Sequence, residues 1–477
     1  MPSSMYSARN AQKILYGDQI VHDLDESDES IGQMNHKCLE CGALKWKNET
    51  ATLCCNNGKV NLEPFPDPPP YLRKLWTEDN AESRLFREQS RPFNNALALS
   101  SIKVEERKFD NNFSPSVIFE GKVSQIYGPL IPGPNETPRF SQLYVHDPAT
   151  EHTIRIANMN LPKSLTSKQV LMIKKVMENL QKLMKEVNPY VKDFIHICEI
   201  PDEDLKEGKL VISCKNRPKG AHERTYNKQT SLSEVSILTN SEPGDIVLRK
   251  REGGLQFVYD IHPAAQALHF TVLFPYGTDG YNEQTKHAKG DTKRRVTPRE
   301  FFSYHLNMRY PTSDFIFRAG RLFQEYICMG FKIVESQKLK YQRNNQKALR
   351  ADTYKNVKEV VSERMPMTDK VYNDDHNLKL GKRIVLSSSF VGSPRWYNSQ
   401  FQDGMAICRE YHKPDFFITM TCNQHWREIT RKLRNGENVQ DRPDLVARVF
   451  KLKKDQLIKD INAGKVLGKV PALLWVI

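Results

Sequence analysis

The 477-residue chain contains no uninterrupted run of about 18 apolar residues, so nothing in it reads as a helix crossing a membrane. Residues 1–19 lack the apolar core of a secretory signal. No GxxxxGK[ST] element occurs: Gly464–Lys469 has a glycine and a lysine, but neither the spacing nor the hydroxyl, which excludes a phosphate-cradling loop of that kind. Of the thirteen histidines, no two are separated by a single residue. That removes the strand-borne His-x-His pair, in which residues i and i+2 share a face and one metal. Cysteine is sparse, nine in all, with four clustered and five scattered. In a long chain without a secretion signal this argues against a disulfide framework and for a reducing compartment.

What is present is globular: 39% hydrophobic and 27% charged residues. The length suggests about two to four domains, each able to bury a core. A net charge of +14 and a pI near 9.2 permit nucleic-acid binding without establishing it.

The clustered cysteines are Cys38, Cys41, Cys54 and Cys55. The first two form a CxxC pair followed by Gly42, which allows the tight turn that faces two thiolates toward one ion. Four soft ligands suit tetrahedral zinc, and a closed set of four is structural, with no open position for chemistry. The adjacent pair Cys54-Cys55 is awkward, because neighbouring side chains diverge unless the backbone turns. His36 is a possible replacement for one of them, and four unligated thiols remain the alternative.

Along the chain, residues 1–35 include the acidic run Asp23–Ser30, too poor in apolar residues to order itself. Pro64–Pro70 is a stiff connector. Tyr71–Leu85 reads as one helix, and Phe86–Ser101 as helix or loop. Residues 113–160 look β-rich, from Val117-Ile118-Phe119, Leu143–Val145 and Thr153–Ile156. Thr166–Val187 is the clearest amphipathic helix. Strands are expected at Lys209–Ser213, Asp245–Arg249 and Leu255–Tyr259, the last two joined as a hairpin through Lys250–Gly254. Leu273–Gly277 reads as a buried strand entering a Pro/Gly turn.

Residues 282–355 hold sixteen Lys/Arg against seven Asp/Glu. Lys293-Arg294-Arg295 precedes a helix at Pro298–Tyr310. A second helix, Ala319–Asn344, has Leu322, Phe323, Tyr326, Met329, Ile333 and Val334 inward, and its tail carries Lys338, Lys340, Arg343 and Lys347. Such charges would meet a phosphate backbone, or form a solvated helix face. After the Ser388–Tyr397 loop, Phe416–Thr421 reads as a buried strand opening onto Cys422–Trp426. Amphipathic helices at Trp426–Leu433 and Arg442–Ile461 and a strand at Leu473–Ile477 close the chain.

Several of these segments together resemble the N-terminal region of Helitron rolling-circle transposases, the Helitron helicase-like domain. The matching stretches are the CxxCGAxxW…CCxxGKV pattern at Cys38–Val60, PRFSQLYVHD, LFPYGTDG, FFSYHLNMR…LFQEY, LSSSFVGSPR and PDFFITMTCNQHW. The resemblance spans about residues 31–477 and departs from the family at Gly404, where alanine is usual. It implies an α+β, multi-domain architecture. A small zinc-binding module (36–62) and a Pro-rich connector with helices (63–112) precede a mixed α/β scaffold (113–280). A basic helical region (281–380) and the first part of a Rep-like nuclease domain (381–477) follow.

The intact family enzyme nicks and joins DNA with a His-x-His-bound divalent Mg or Mn ion and a tyrosine nucleophile, and carries a helicase domain. The resemblance places those elements beyond Leu473–Ile477, so this chain is expected to be catalytically inactive, with no catalytic residue of its own. Gln424 and His425 are read as turn residues. Expected partners are single-stranded or junction DNA, with Lys293, Arg294, Arg295, Lys338, Lys340, Arg343 and Lys347 as contacts. No membrane is expected, and a nuclear location follows from the family. A non-enzymatic zinc-containing scaffold or protein-interaction module is the alternative.

Overall fold

The computed structural model describes residues 31–102, 105–106, 117–118, 124–127, 138, 140–144, 148–159, 161–199, 209–212, 246–249, 256–259, 262–290, 293–309, 314–349 and 385–475. The acidic run Asp23–Ser30, the Lys250–Gly254 turn and Ile477 lie outside these. The chain divides into two compact units, Met1–Gly330 with Cys422–Gln456, and Phe331–Thr421 with Leu457–Ile477. The described residues are mainly helical, with few and short strands.

The first unit opens with an antiparallel pair, β1 (His36–Lys37) and β2 (Leu44–Lys45). The Pro-rich connector feeds α1 (Pro70–Thr77), whose proline sits in the permitted first turn. The single helix expected over 71–85 is in fact two helices. Asn80 accepts the Ser83 N–H at 2.8 Å and starts α2 (Ala81–Glu88). A polar residue able to cap outcompetes helix continuation there. Trp76 of α1 and Phe86 of α2 then pack edge to face at 4.6 Å, and α3 (Ser90–Leu97) buries Phe93 and Leu97 beside them.

The β-rich expectation for 113–160 holds only in part. Within it only β5 (Val117–Ile118) and β6 (Ser124–Tyr127) form among the described residues; β3 (Ser101–Ile102) and β4 (Glu105–Glu106) precede it, and β4 pairs with β5. Leu143 and Tyr144, however, lie in a 3₁₀ turn, Phe140–Tyr144, and Thr153–Ile156 lies in α4 (Pro148–Asn158). The cause is a buried charge cluster at helical spacing. Glu151 binds Arg155 one turn on at 3.0 Å and Lys185 at 2.6 Å. The Arg155 guanidinium also donates to the Ala96 carbonyl and stacks over Tyr144 at 4.1 Å. Only a helix brings Glu151 and Arg155 to one face. Lys185 belongs to α5 (Ser167–Val187), which starts on the expected Thr166 with a Thr166–Gln169 capping box. The next helix, α6 (Pro189–Glu199), follows directly.

The three strands expected over 209–259 form as β7 (Lys209–Ile212), β8 (Ile246–Arg249) and β9 (Gln256–Tyr259). The expected hairpin does not. β8 pairs with β7, and β9 pairs with β6 in a β3-β6-β9 sheet, so neighbours in sequence belong to different sheets. Leu273–Gly277 is buried as expected, but as turns after the short helix α7 (Ala265–His269) rather than as a strand. Phe274 there packs on Phe65 at 4.9 Å and Tyr326 at 5.6 Å. A Thr297–Glu300 capping box and Pro298 start α8 (Pro298–His305). α9 (Arg321–Asn344) buries Leu322, Phe323, Tyr326, Met329 and Ile333, the side read as inward.

In the second unit, Gln342 of α9 and Gln346 just beyond its end grip the backbone of 385–387. Gln346 exchanges two hydrogen bonds with Val385 at 2.7 and 2.8 Å, and Gln342 accepts from Ser387 N–H at 3.1 Å. Ser393 caps α10 (Pro394–Tyr411), so Pro394–Tyr397 is helix rather than loop. The buried strand expected at Phe416–Thr421 is absent. Residues 416–423 have no regular structure, Phe417 is 96% exposed, and among the described residues no strand pairs with them. An apolar β-prone run becomes a strand only when a neighbour supplies its cross-strand contacts. Leu473–Trp475 likewise forms no strand. In the first unit, α11 (Arg427–Thr430) is a single turn, and α12 (Pro443–Asn462) begins there and continues past Gln456. No helix of the described residues is long and apolar enough to cross a membrane.

Candidate metal centre

Two turns bring the four cysteines together. In the first, the Gly42 N–H donates to the Cys38 carbonyl at 2.8 Å and the Cys38 N–H to the Ala43 carbonyl at 2.9 Å. Gly42 sits at φ 72°, a conformation costly for any residue with a Cβ. The second answers the difficulty of adjacent cysteines. Asn56, Asn57 and Gly58 are all left-handed, at φ 48°, 55° and 76°. This run folds the chain back so that the Gly58 N–H reaches the Cys55 sulfur at 3.3 Å and the Val60 N–H the Cys55 carbonyl at 3.0 Å. Asparagine and glycine are the residues that tolerate this region.

The four Sγ atoms all lie within 4.8 Å of one another. Cys38 and Cys55 are 3.8 Å apart, and Cys54 and Cys55 3.9 Å. A tetrahedron of sulfurs about 2.3 Å from zinc has edges of about 3.8 Å, so the spacing fits that ion. Cys54 and Cys55 are buried, Cys38 and Cys41 half-buried. His36 is exposed on β1 and stands outside the cluster.

The sulfurs share their protons unequally. Hydrogen bonding from Cys54, helped by the Ala43 N–H and the Arg309 guanidinium, holds the Cys41 thiol down to about 4. The same hydrogen bond, with burial, pushes Cys54 up. Burial pushes Cys55 up to about 11. The charge is therefore held on Cys41, and metal binding at such a cluster releases the protons of the other thiols.

This module is bound into the first unit rather than appended to it. The Leu44 N–H donates to the Met308 carbonyl at 2.9 Å, and Asn56 donates to Glu300 at 2.9 Å. Arg448 of α12 clamps Glu49 and donates to the Leu44 carbonyl at 3.0 Å. The Arg309 fork donates to the Cys41 carbonyl at 3.2 Å and to the Cys41 sulfur at 3.3 Å. Arg309 stood in the FFSYHLNMR stretch, but nothing local in the sequence indicates that it reaches a cysteine 268 positions away.

The basic residues lie on two surfaces. Lys293, Arg294 and Arg295 are exposed on a ribbon closed by the Lys286–Arg295 bridge, with the His287 N–H on the Arg294 carbonyl at 2.9 Å. Exposed Lys286 and Arg299 belong to the same stretch, and the Ala288 N–H donates to the Lys59 carbonyl at 2.8 Å, bringing exposed Lys59 alongside. Sequence reasoning missed Lys59 and Lys286, because only the fold places them next to the basic triplet. Lys338, Lys340, Arg343 and Lys347 are exposed in the second unit. His425 is exposed, with its N–H on the Asn423 side chain at 2.9 Å in a turn. Gln424 borders an open cavity of about 310 Å³ with Arg321, Gln324, Gln440 and Val446.

The family model of the Helitron helicase-like domain at the N-terminus matches residues 301–477. That segment belongs to the Helitron helicase-like family. No curated protein matches the chain. The Helitron helicase-like segment starts inside α8, at the first Phe of FFSYHLNMR, and it includes Met308, Arg309 and Arg448. The cysteine module therefore lies outside the matched segment in sequence, yet its hydrogen bonds run to residues within it.

Proposed function

We propose that this chain is a DNA-binding part of the Helitron rolling-circle machinery, engaging single-stranded or junction DNA, with a structural zinc in its cysteine module. The Helitron helicase-like match over 301–477 carries this reading. The exposed cations of the 286–299 ribbon, with Lys59, are its binding surface. Phosphates lie along a single strand at short intervals, and cations on an exposed ribbon meet them without reading bases. Lys338, Lys340, Arg343 and Lys347 form a second set of phosphate contacts.

Zinc in this reading has no catalytic part. Cys38, Cys41, Cys54 and Cys55 fill all four positions and leave none for a water or a substrate. Bound zinc would supply cross-linking of the two turns. The residues themselves set the turns, hold the sulfurs and anchor the module to Met308, Glu300 and Arg448.

The test is a comparison of single-stranded and duplex DNA of one sequence, with the intact chain and a Lys293→Gln/Arg294→Gln/Arg295→Gln variant. Preference for the single strand, weakened in the variant, supports the proposal. No binding at low salt favours a zinc-containing scaffold or protein-interaction module instead.

A further inference from the structure

We propose that Arg309 is the positioning residue of the metal centre, fixing the Cys41 sulfur and tying metal retention to the end of α8. This rests on the reading that the four cysteines hold zinc.

All three nitrogens of Arg309 donate. One side takes the Cys41 carbonyl and sulfur, at 3.2 and 3.3 Å. The other takes the Tyr304 carbonyl and the Asn307 carbonyl, the latter at 3.0 Å. The guanidinium carbon lies over the Tyr304 ring, 3.7 Å from its centre. The helix end supplies carbonyls that favour a cation, and only a planar fork serves two acceptor pairs at once. A lysine has neither the plane nor the second edge.

Charge gives the contact its consequence. Four thiolates around a divalent ion leave a net charge of about −2 in a half-buried site. Three neighbouring cations are engaged elsewhere: Lys45 on the Thr50 carbonyl at 3.3 Å, Arg448 on Glu49, and Lys289 on Glu40 at 2.9 Å. Arg309 puts its charge on a sulfur. Hydrogen bonds to ligand atoms orient them and tune the metal, and losing one typically costs about 10–100-fold in affinity.

The test uses the full chain loaded with zinc and challenged with increasing chromophoric chelator. Arg309→Gln is expected to surrender its metal at about 10–100-fold lower chelator than wild type, with Arg309→Lys in between. Lys289→Gln, which removes the cation paired with Glu40 of the CxxC loop without touching sulfur, is expected to match wild type. In the cobalt-loaded chain the sulfur-to-metal charge-transfer band is expected to shift in Arg309→Gln and not in Lys289→Gln. If Arg309→Gln does not fold, the comparison of Arg309→Lys with Lys289→Gln decides. Equal retention by wild type and the Arg309 variants overturns the inference, as does an equal loss in Lys289→Gln. A wild-type chain that takes up no zinc refutes the metal reading itself, and this inference with it.

Discussion

Arg448 grips Glu49 across 399 positions of sequence, with Nε on Oε1 at 2.7 Å and Nη2 on Oε2 at 2.6 Å. Both side chains are largely buried, and the guanidinium also lies 5.0 Å from the Trp46 ring centre. One residue belongs to the cysteine module and the other to the Helitron helicase-like segment, so the clamp joins a part outside the family match to a part within it.

Removing one partner leaves a buried charge without compensation. Arg448→Ala is expected to lower the stability of the chain by about 3 kcal/mol, and Glu49→Ala by a similar amount. The double substitution should cost clearly less than the sum, because the second change removes the orphaned charge. Urea midpoints of the four proteins check this, and additivity would deny the pair its coupling.

Acid should weaken the fold through His305. Its ring stacks on Phe65 at 4.0 Å, and burial, with Arg309 nearby, pushes the imidazole down to about 3. The unfolded chain therefore binds the proton first, near pH 6.5. Stability is full above that pH and falls as pH drops toward 3, by at most about 1.4 kcal/mol per unit. His305→Phe keeps a stacking ring and should flatten this dependence between pH 6.5 and 5 in denaturant titrations.

Two helical glycines should respond with opposite signs. A Cβ at Gly404 would sit 3.4 Å from the Leu474 side chain, an ordinary contact. Gly404→Ala is expected to stabilise the chain by about 0.5–1 kcal/mol, the propensity gain in α10. A Cβ at Gly330 would sit 2.8 Å from the Phe302 ring. Gly330→Ala is expected to destabilise by about 1–3 kcal/mol, overpacking outweighing propensity in α9. Thermal midpoints read both.

Much of this was legible in the sequence wherever the signal is local. The Thr166–Val187 stripe, the helix start at Pro298 and the CxxC turn each carry their instructions within a few residues. Failures came where a distant partner decides. Thr153–Ile156 is rich in β-branched residues and reads as strand, but Glu151, Arg155 and Lys185 make it a helix. The 245–259 segments read as a hairpin, yet each pairs with a strand remote in sequence. Phe416–Thr421 has a strand's composition and, among the described residues, no neighbour to pair with. In the candidate metal centre the cluster of cysteines was legible in the sequence, whereas Arg309 needed the fold.

Metal removal should loosen more than the cysteine module. Because Met308, Glu300 and Arg448 all bind it, chelation is expected to speed amide exchange in 298–309 and 443–450 as well as in 36–60. Hydrogen-exchange mass spectrometry with and without zinc checks this. Exchange confined to 36–60 would make the module an independent appendage.

The most direct measurement is a titration of the intact chain with labelled single-stranded DNA across a range of salt, with Mg²⁺ present and products run on a denaturing gel. The expected result is binding that weakens steeply with salt and leaves the DNA uncut. Replacing Lys293, Arg294 and Arg295 with glutamine should reduce the log–log salt slope by about 2, since each phosphate contact contributes about 0.7. Binding that ignores salt, or is absent at low salt, would contradict the DNA-binding account. Site-specific cleavage would contradict the reading of the chain as lacking its own nuclease chemistry.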